Sequence, residues 1–225
     1  KRRAAAQRRF PASLVALASL RTDQAEYAAA ESLARAGLSI SSATLPPMHP
    51  QVAEATEALG RVITEKGDYD AAIPVLQDAV RKRESAGKES VEYASSVYEL
   101  ANANFYAGHY DVSDSLNRIV LGVHRRVYGE RHPLVSDDLV NLGASQFERG
   151  NHVEAERLYR EALDITIAHH GNDHYKTASN LTMIGRSLVR QQRFDEAVAV
   201  LTQALTIRER VYGPVHPSVA STVNE

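Results

Sequence analysis

The sequence predicts an all-α fold, an α-solenoid of antiparallel helix pairs, from three observations. Gly87, Gly129, Gly171 and Gly213 follow one another at intervals of 42 residues, and periods of about 20 to 50 residues are typical of solenoids. Apolar residues recur at spacings of three and four, as on one face of an amphipathic helix. Short turns such as residues 150–152 separate the apolar segments, so consecutive helices should be antiparallel.

The chain is predicted to begin with a basic arm or linker over residues 1–10, because five of the first nine residues are Lys or Arg. Such charge runs are solvated linkers or extensions of a helix. The solenoid is expected over residues 11–225, with about five helix-pair repeats, the first degenerate, and a truncated sixth that opens at His216. In that sixth repeat Val219 and Val223 share a helix face, and it has no second helix of its own to cover them.

The helices are placed by the apolar pattern and by the turns between them. An atypical pair lies before residue 45, and three prolines between Thr44 and Pro50 predict a loop after it. Asp68 is expected to cap the helix that follows it. The later pairs are predicted at residues 50–66 and 69–85, 91–107 and 110–128, 133–149 and 152–169, and 174–191 and 194–211.

Small residues in the middle of the first helices predict close contacts between helices. Gly60, Ala101, Gly143 and Gly185 hold this place, where glycine costs about 1 kcal/mol relative to alanine and so implies a packing reason. The period-marking glycines follow the second helices instead. There a positive φ at a helix end is expected.

These residues resemble a tetratricopeptide repeat. Leu59-Gly60 supplies the pair in the first helix, Gly67-Asp68-Tyr69 the turn, and Ala72 the small residue three positions on. The period of 42 and the Gly-x-x-His-Pro linkers at residues 129–133 and 213–217 are similar to the subclass typified by kinesin light chains. The resemblance covers residues 11–225. Departures are Ser90-Val91 and His174-Tyr175 in place of His-Pro, and Gln192 in place of the turn glycine.

The resemblance implies a right-handed superhelix in which the first helices line a concave groove that holds an extended peptide or a partner's helix. The candidate peptide-binding residues are the larger side chains at groove positions, chiefly Arg61, Tyr98, Asn102, Phe105, Tyr106, Asn141, Arg186 and Arg190, with Glu57, Glu65, Phe147 and Glu148 at equivalent places. Aromatic, amide and arginine groups suit protein recognition. The alternative for Phe105 and Phe147 is packing between adjacent helices.

Charge in the predicted groove changes along the chain. Arg186 and Arg190 are four residues apart and share a helix face, so both could approach one acidic stretch of a ligand. Apolar or aromatic ligand residues are expected against Tyr98, Phe105 and Tyr106. The alternative is that Glu148 or another neighbouring acid already pairs the two arginines.

Composition and motifs predict a non-enzymatic interaction module without cofactors. A net charge of −2 offers no attraction to nucleic acid, and the longest weakly charged stretch, Phe10 to Leu20, is too short to span a membrane. The absence of cysteine suits a cytoplasmic location. No phosphate-binding loop or nucleophile elbow is present. The metal-like residues His169, His170, Asp173 and His174 are interrupted by Gly171, so no metal is expected.

Two alternatives to a peptide-binding scaffold stay open from the sequence. The chain could be the regulatory or sensor region of a bacterial multidomain signalling protein, such as a serine/threonine kinase. It could also be a self-assembling structural solenoid, whose ends stack weakly on copies of themselves.

Overall fold

A computed structural model describes residues 2–85, 87–213 and 217, and it describes side chains from Phe10 onward. The helices in this part are α1 (Arg2–Asp23), α2 (Tyr27–Thr44), α3 (Pro50–Glu65), α4 (Tyr69–Glu84), α5 (Val91–Tyr106), α6 (Tyr110–Tyr128), α7 (Pro133–Glu148), α8 (His152–His170), α9 (Tyr175–Arg190) and α10 (Phe194–Tyr212). No strand occurs among the described residues. The predicted all-α fold is therefore confirmed, and from Pro50 onward the predicted helix ends differ from the observed ones by at most one residue.

Residues 2–10, predicted as a basic arm or linker, form the first part of α1, which continues through Pro11. The predicted sixth repeat, with Val219 and Val223, lies outside the described residues except for Pro217.

The chain forms two compact units, the first ending at Val123 and the second beginning at His124. In the first unit, α1 packs on α2, α2 on α3, α3 on α4 and α4 on α5. Its core is built from small residues of α1 and α2 and from larger ones such as Leu59, Leu76 and Leu100. In the second unit, α7 packs on α8, α8 on α9 and α9 on α10. Tyr159, Ile184 and Leu188 form its centre.

Glycines in the first helices permit close contact with the second helix of the same pair. A Cβ at Gly60 would lie 2.4 Å from Leu76 Cδ2. The corresponding distance is 2.5 Å at Gly143, to Tyr159 Cε1, and 2.5 Å at Gly185, to Leu201 Cδ2. Real Cβ atoms do not approach other atoms so closely, and the predicted packing reason for these glycines is confirmed.

The linker histidines start the first helices. The Nδ1 atoms of His49, His132 and His174 accept hydrogen bonds from the amides two residues on, at 3.2, 3.2 and 3.3 Å. Each satisfies one of the amide donors that lack a partner within the helix. After His49 and His132 a proline occupies the first helical position, where its missing N–H costs nothing. The histidine and the proline of the His-Pro linker therefore stabilise the start of the helix that follows.

The helix ends follow the glycine prediction. Gly171 and Gly213 end α8 and α10 with φ of 85° and 82°, a conformation that L side chains rarely adopt. Gln192 stands where the preceding repeats have a turn glycine, and it adopts φ of 63°. The turn geometry is retained there at the cost of backbone strain.

Candidate functional site

In the first unit, aromatic side chains of the predicted groove form a packed row. The Tyr106 ring stacks on Tyr69 at a centroid distance of 5.8 Å. Phe105 meets the rings of Tyr106 and Tyr110 edge-on, at 5.6 and 5.4 Å. Phe105 therefore contacts the start of α6 as well as its own helix, whereas Tyr106 is 59 % exposed. Tyr98 is half-buried and packs beside Val97 and Val120.

Charged groups of the first unit surround Arg61, which lies on α3. Arg61 borders a cavity of about 290 Å³ together with Tyr27, Asp23 and Glu65. Its Nε atom is buried and has no hydrogen-bond partner. The carboxylate of Glu57, one turn earlier, accepts hydrogen bonds from two serines of α5, including Ser95 at 2.9 Å. Glu57 is thus held within the helix stack.

Glu99 is the residue of this face that sequence reasoning missed. Burial raises the pKa of its carboxyl to about 7, Arg61 opposes the rise, and Glu57 and Glu65 add to it. The Glu99 carboxyl has no hydrogen bond or ion pair with a described residue. It occupies the groove position directly before Leu100, so the same positional count that selected Tyr98 could have found it.

Two asparagines of the predicted groove have side-chain amides without a hydrogen-bond partner among the described residues. Asn102 in the first unit and Asn141 in the second are both half-buried. Neither side-chain amide hydrogen-bonds to another described residue. An amide of this kind offers both a donor and an acceptor, the set that a peptide main chain needs.

In the second unit, the two arginines of α9 that were predicted to line the groove lie over an aromatic ring of α7. The guanidinium carbon of Arg186 lies 5.2 Å from the centroid of Phe147, and that of Arg190 lies 5.9 Å from it. The ring also contacts His152, at 5.0 Å between centroids. Arg190 is exposed and makes no ion pair with the described residues. Cation–π attraction to the Phe147 ring stabilises both groups at these distances.

Beneath this face lies Tyr159, the ring against which Gly143 packs. Burial raises the pKa of the Tyr159 phenol, Arg186 opposes this shift, and Glu148 adds to it. The phenol is therefore neutral at physiological pH. It serves the packing of α7 on α8 and supplies no proton acceptor to the face above it.

A buried histidine–carboxylate pair lies beside the first turns of α7. His124 Nδ1 and Asp138 Oδ2 are 2.7 Å apart, and only 11 % and 6 % of the two side chains is exposed. Burial raises the pKa of Asp138 to about 6, although His124 pulls it down. Neighbouring Asp137 pairs with Lys176 of α9 at 2.9 Å. No sequence pattern predicts the His124–Asp138 pair, because its two residues belong to different helices.

Histidines of the group that resembled a metal site make contacts within the fold instead. The rings of His170 and His174 stack at 4.3 Å, and Nδ1 of His174 caps α9. Burial, followed by the charges of His170 and Lys176, lowers the pKa of His174. Among the residues described, no group of three or more side chains is placed to hold a metal ion.

None of the described helices combines the length and the apolar character that crossing a bilayer requires.

Sequence comparison finds the tetratricopeptide repeat along most of the chain. One tetratricopeptide repeat profile matches residues 92–168 and 139–210, and a second matches residues 13–87. None of the curated protein sequences gives a significant match.

Solved structures with the same fold include proteins related to kinesin light chains. The nearly identical TPR-like repeats of a Podosopora anserina protein assigned to the kinesin light chains have 20 % identity and a TM-score of 0.79, over 89 % of this chain and 95 % of that one. BtubC (BKLC) from P. vanneervenii has 22 % identity and a TM-score of 0.79, over 91 % and 81 %. MamA from Desulfovibrio magneticus has 13 % identity and a TM-score of 0.66, over 90 % and 97 %.

These likenesses confirm, at the level of the fold, the resemblance to kinesin-light-chain-like repeats. Tetratricopeptide repeats are in general scaffolds for protein–protein interaction, and they bind proteins or peptides. With profiles of the family matching more than half of its length, the chain belongs to the tetratricopeptide repeat family.

Proposed function

We propose that the faces of the first helices bind an extended segment of another protein, and that the α7–α9 face selects acidic segments. The observation that carries this proposal is the pair of guanidinium groups over Phe147, at 5.2 and 5.9 Å. Arg190 is exposed and has no acidic partner among the described residues. A ligand carboxylate would supply the missing counter-charge.

The chemistry of arginine suits this role. A guanidinium over an aromatic ring keeps N–H donors at its edge, and these match the two oxygens of a carboxylate. Arg186 and Arg190 are one helical turn apart, so they would contact neighbouring acidic residues of an extended segment. Asn141, on the same face of α7, has a free amide that would hold the main chain of that segment.

The α3–α5 face has the opposite preference. Glu57, Glu65 and Glu99 surround Arg61 there, and a further carboxylate would meet like charge. Tyr98, Phe105 and Tyr106 offer apolar contact, with Asn102 beside them to bond the main chain. We therefore expect this face to take apolar or aromatic residues.

Peptide display tests the proposal without knowledge of the natural partner. A random peptide library is selected on the intact chain, and enriched peptides are titrated against it by fluorescence anisotropy. Enriched peptides should include acidic sequences, selected by the α7–α9 face, and aromatic or aliphatic sequences, selected by the α3–α5 face. Reversal of both arginines (R186E with R190E) should weaken acidic peptides by about 2 to 4 kcal/mol if the charge pairs are desolvated.

The matched control changes the net charge equally but on the second helices. Arg81 of α4 and Arg157 of α8 are exposed and pair locally with acids of their own helices. Reversing both (R81E with R157E) should leave peptide affinity and its salt dependence nearly unchanged. Equal losses in the two double variants would reduce the effect to net charge, and unaltered affinity in R186E/R190E would remove these arginines from the site.

A further inference from the structure

The second unit contains a cleft that the first-helix faces do not include. It is a cavity of about 370 Å³, lined by α8 and α10 with part of α9. Its floor is aliphatic, formed by Leu163, Ile167, Leu181 and Ile207. Leu181 and Ile207 belong to the buried core that α9 and α10 share, and Leu163 packs against it. An opening of this size lies within the range of ligand-binding pockets, about 300 to 1,000 Å³.

The rim of the cleft is polar, and its described residues provide no unpaired charged group. Asn172, Gln203 and two threonines of α10 supply amides and hydroxyls. Asp173 also lines the cleft, and its carboxylate is paired with Arg210. A charged ligand group would find no free counter-ion among the described lining residues. The cleft therefore matches an uncharged apolar group.

The preceding repeat carries charged side chains at the places equivalent to this cleft. Forty-two residues before Ile167 and Gln203 stand Arg125 and Glu161, whose side chains form an ion pair of 2.5 Å between α6 and α8. Arg125 also pairs with Glu130 at 2.8 Å, the residue equivalent to Asn172. These residues bridge their helices with charged side chains, whereas Ile167, Asn172 and Gln203 are all neutral. The whole ion-pair network is absent from the later repeat.

We propose that the α8–α10 cleft is a second docking site, which takes one leucine-sized apolar side chain from a segment of a partner protein. The aliphatic floor would bury that side chain, and the amides of Asn172 and Gln203 would bond the main chain on either side of it. This site lies largely on second helices, so it would act independently of the acidic-segment site proposed above.

Uncharged amino-acid derivatives serve as probes of the cleft. N-acetyl-leucine amide is titrated into the ¹⁵N-labelled full chain, beside the alanine, lysine and glutamate derivatives. The leucine probe should bind in the low millimolar range, about what a dozen heavy atoms provide. It should shift the amide signals of Leu181, Gln203 and Thr206 and bind at least about tenfold more tightly than the alanine probe. The two charged probes should leave these signals unchanged.

The equivalent ion pair provides two reciprocal variants. Ile167→Arg with Gln203→Glu installs the charged bridge in the cleft and should abolish the leucine-induced shifts. Arg125→Ile with Glu161→Gln removes the bridge from the preceding repeat and should create a second set of shifts there. If thermal denaturation shows that the first double variant is unfolded, the second still decides the question.

Four results would overturn the proposal. One is the absence of concentration-dependent shifts with the leucine probe, and another is equal binding of the charged probes. The third is a set of cleft signals that move on dilution of the protein alone, since this would assign the cleft to a second copy of the chain. Shifts that persist unchanged in the filled variant would likewise place the probe elsewhere.

Discussion

The helix pair α5/α6, which belongs to the first unit up to Val123, and the pair α7/α8 of the second unit have equal lengths and different side chains at equivalent positions. In both pairs the first helix has 16 residues and the second has 19. Gly143 of α7 packs against the Tyr159 ring. At the equivalent places α5 has Ala101 and α6 has Asn117. At these equivalent positions a larger residue on the first helix therefore coincides with a smaller one on the second.

The same two pairs treat acidic groups differently. Asp138 of α7 is buried against His124, 2.7 Å away, whereas the equivalent residue of α5 is Ser96. Glu99 of α5 is largely buried without a hydrogen-bonding partner among the described residues, whereas its equivalent in α7 is the neutral Asn141. Repeats of one backbone geometry therefore place buried charge at different positions and neutralise it by different means.

The largest expected effect concerns the close contact in α7/α8. Gly143→Leu would place side-chain atoms where the Tyr159 ring now lies, 2.5 Å from the position of an added Cβ. Neither the ring nor the helix backbone can yield easily in a packed core. We expect a loss of about 3 kcal/mol in the free energy of unfolding, measured by urea denaturation.

Gly122 of α6 is the matched control for that substitution. It is also a glycine within a helix, but an added Cβ would meet no other atom within 4 Å. Gly122→Ala should stabilise the protein by up to about 1 kcal/mol through helix propensity. If Gly143→Leu proved as harmless as Gly122→Ala, the close-contact explanation of the first-helix glycines would be wrong.

The second prediction concerns Asp138 of α7, which is replaced by the type of residue that α5 has at the equivalent position. Asp138→Ser introduces the residue that α5 carries at Ser96, and it leaves the buried ring of His124 without its hydrogen-bond partner. A buried polar group that loses its partner costs about 2 kcal/mol. Urea denaturation at neutral pH measures this loss.

Asp137→Ser provides the comparison. Asp137 is the adjacent carboxylate, but it is half exposed and pairs with Lys176 near the surface. Its replacement should cost no more than about 1 kcal/mol. Similar losses for the two serine variants would show that the buried pair contributes nothing beyond an ordinary surface ion pair.

Helix positions could be predicted closely because the same sequence pattern recurs in successive repeats that share one backbone geometry. The period of 42 fixed the turns, and a glycine inside a first helix implied close packing at Gly60, Gly143 and Gly185 alike. Each repeat supplied independent support for the others. Even Gln192, which departs from the turn glycine, retains the turn with a positive φ.

Side-chain partners could not be predicted in the same way, because they depend on neighbours from other helices. The sequence placed Arg186 and Arg190 on one helix face, but only the structure shows that both lie over Phe147. His124 and Asp138 meet across two helices, and no periodicity relates them. The binding role of the groove residues stays a prediction, because no bound ligand tests it.

The last and smallest effect concerns Glu99 and its dependence on pH. Its carboxyl has a pKa of about 7 in the folded chain, against an ordinary value of 4.5 that the unfolded chain should keep. Between these two values the folded state retains a proton that the unfolded state has lost, so the stability of the fold decreases as pH rises through this window. Glu99→Gln supplies a neutral amide, as Asn141 does in α7, and removes this penalty.

The Gln variant should be more stable than the unmodified chain by about 1 to 2 kcal/mol at pH 8, and nearly equal to it at pH 5. Urea denaturation at the two pH values measures the difference. Glu92, an exposed residue of the same helix, supplies the control, because Glu92→Gln should show no gain that grows with pH. A gain at Glu99 that is the same at both pH values would mean that shape, and not ionisation, distinguishes the two side chains. A loss of stability at pH 8 would show that Arg61 stabilises the ionised carboxylate more than burial destabilises it. Glu99 of α5 would then resemble Asp138 of α7, as a buried carboxylate that has a partner.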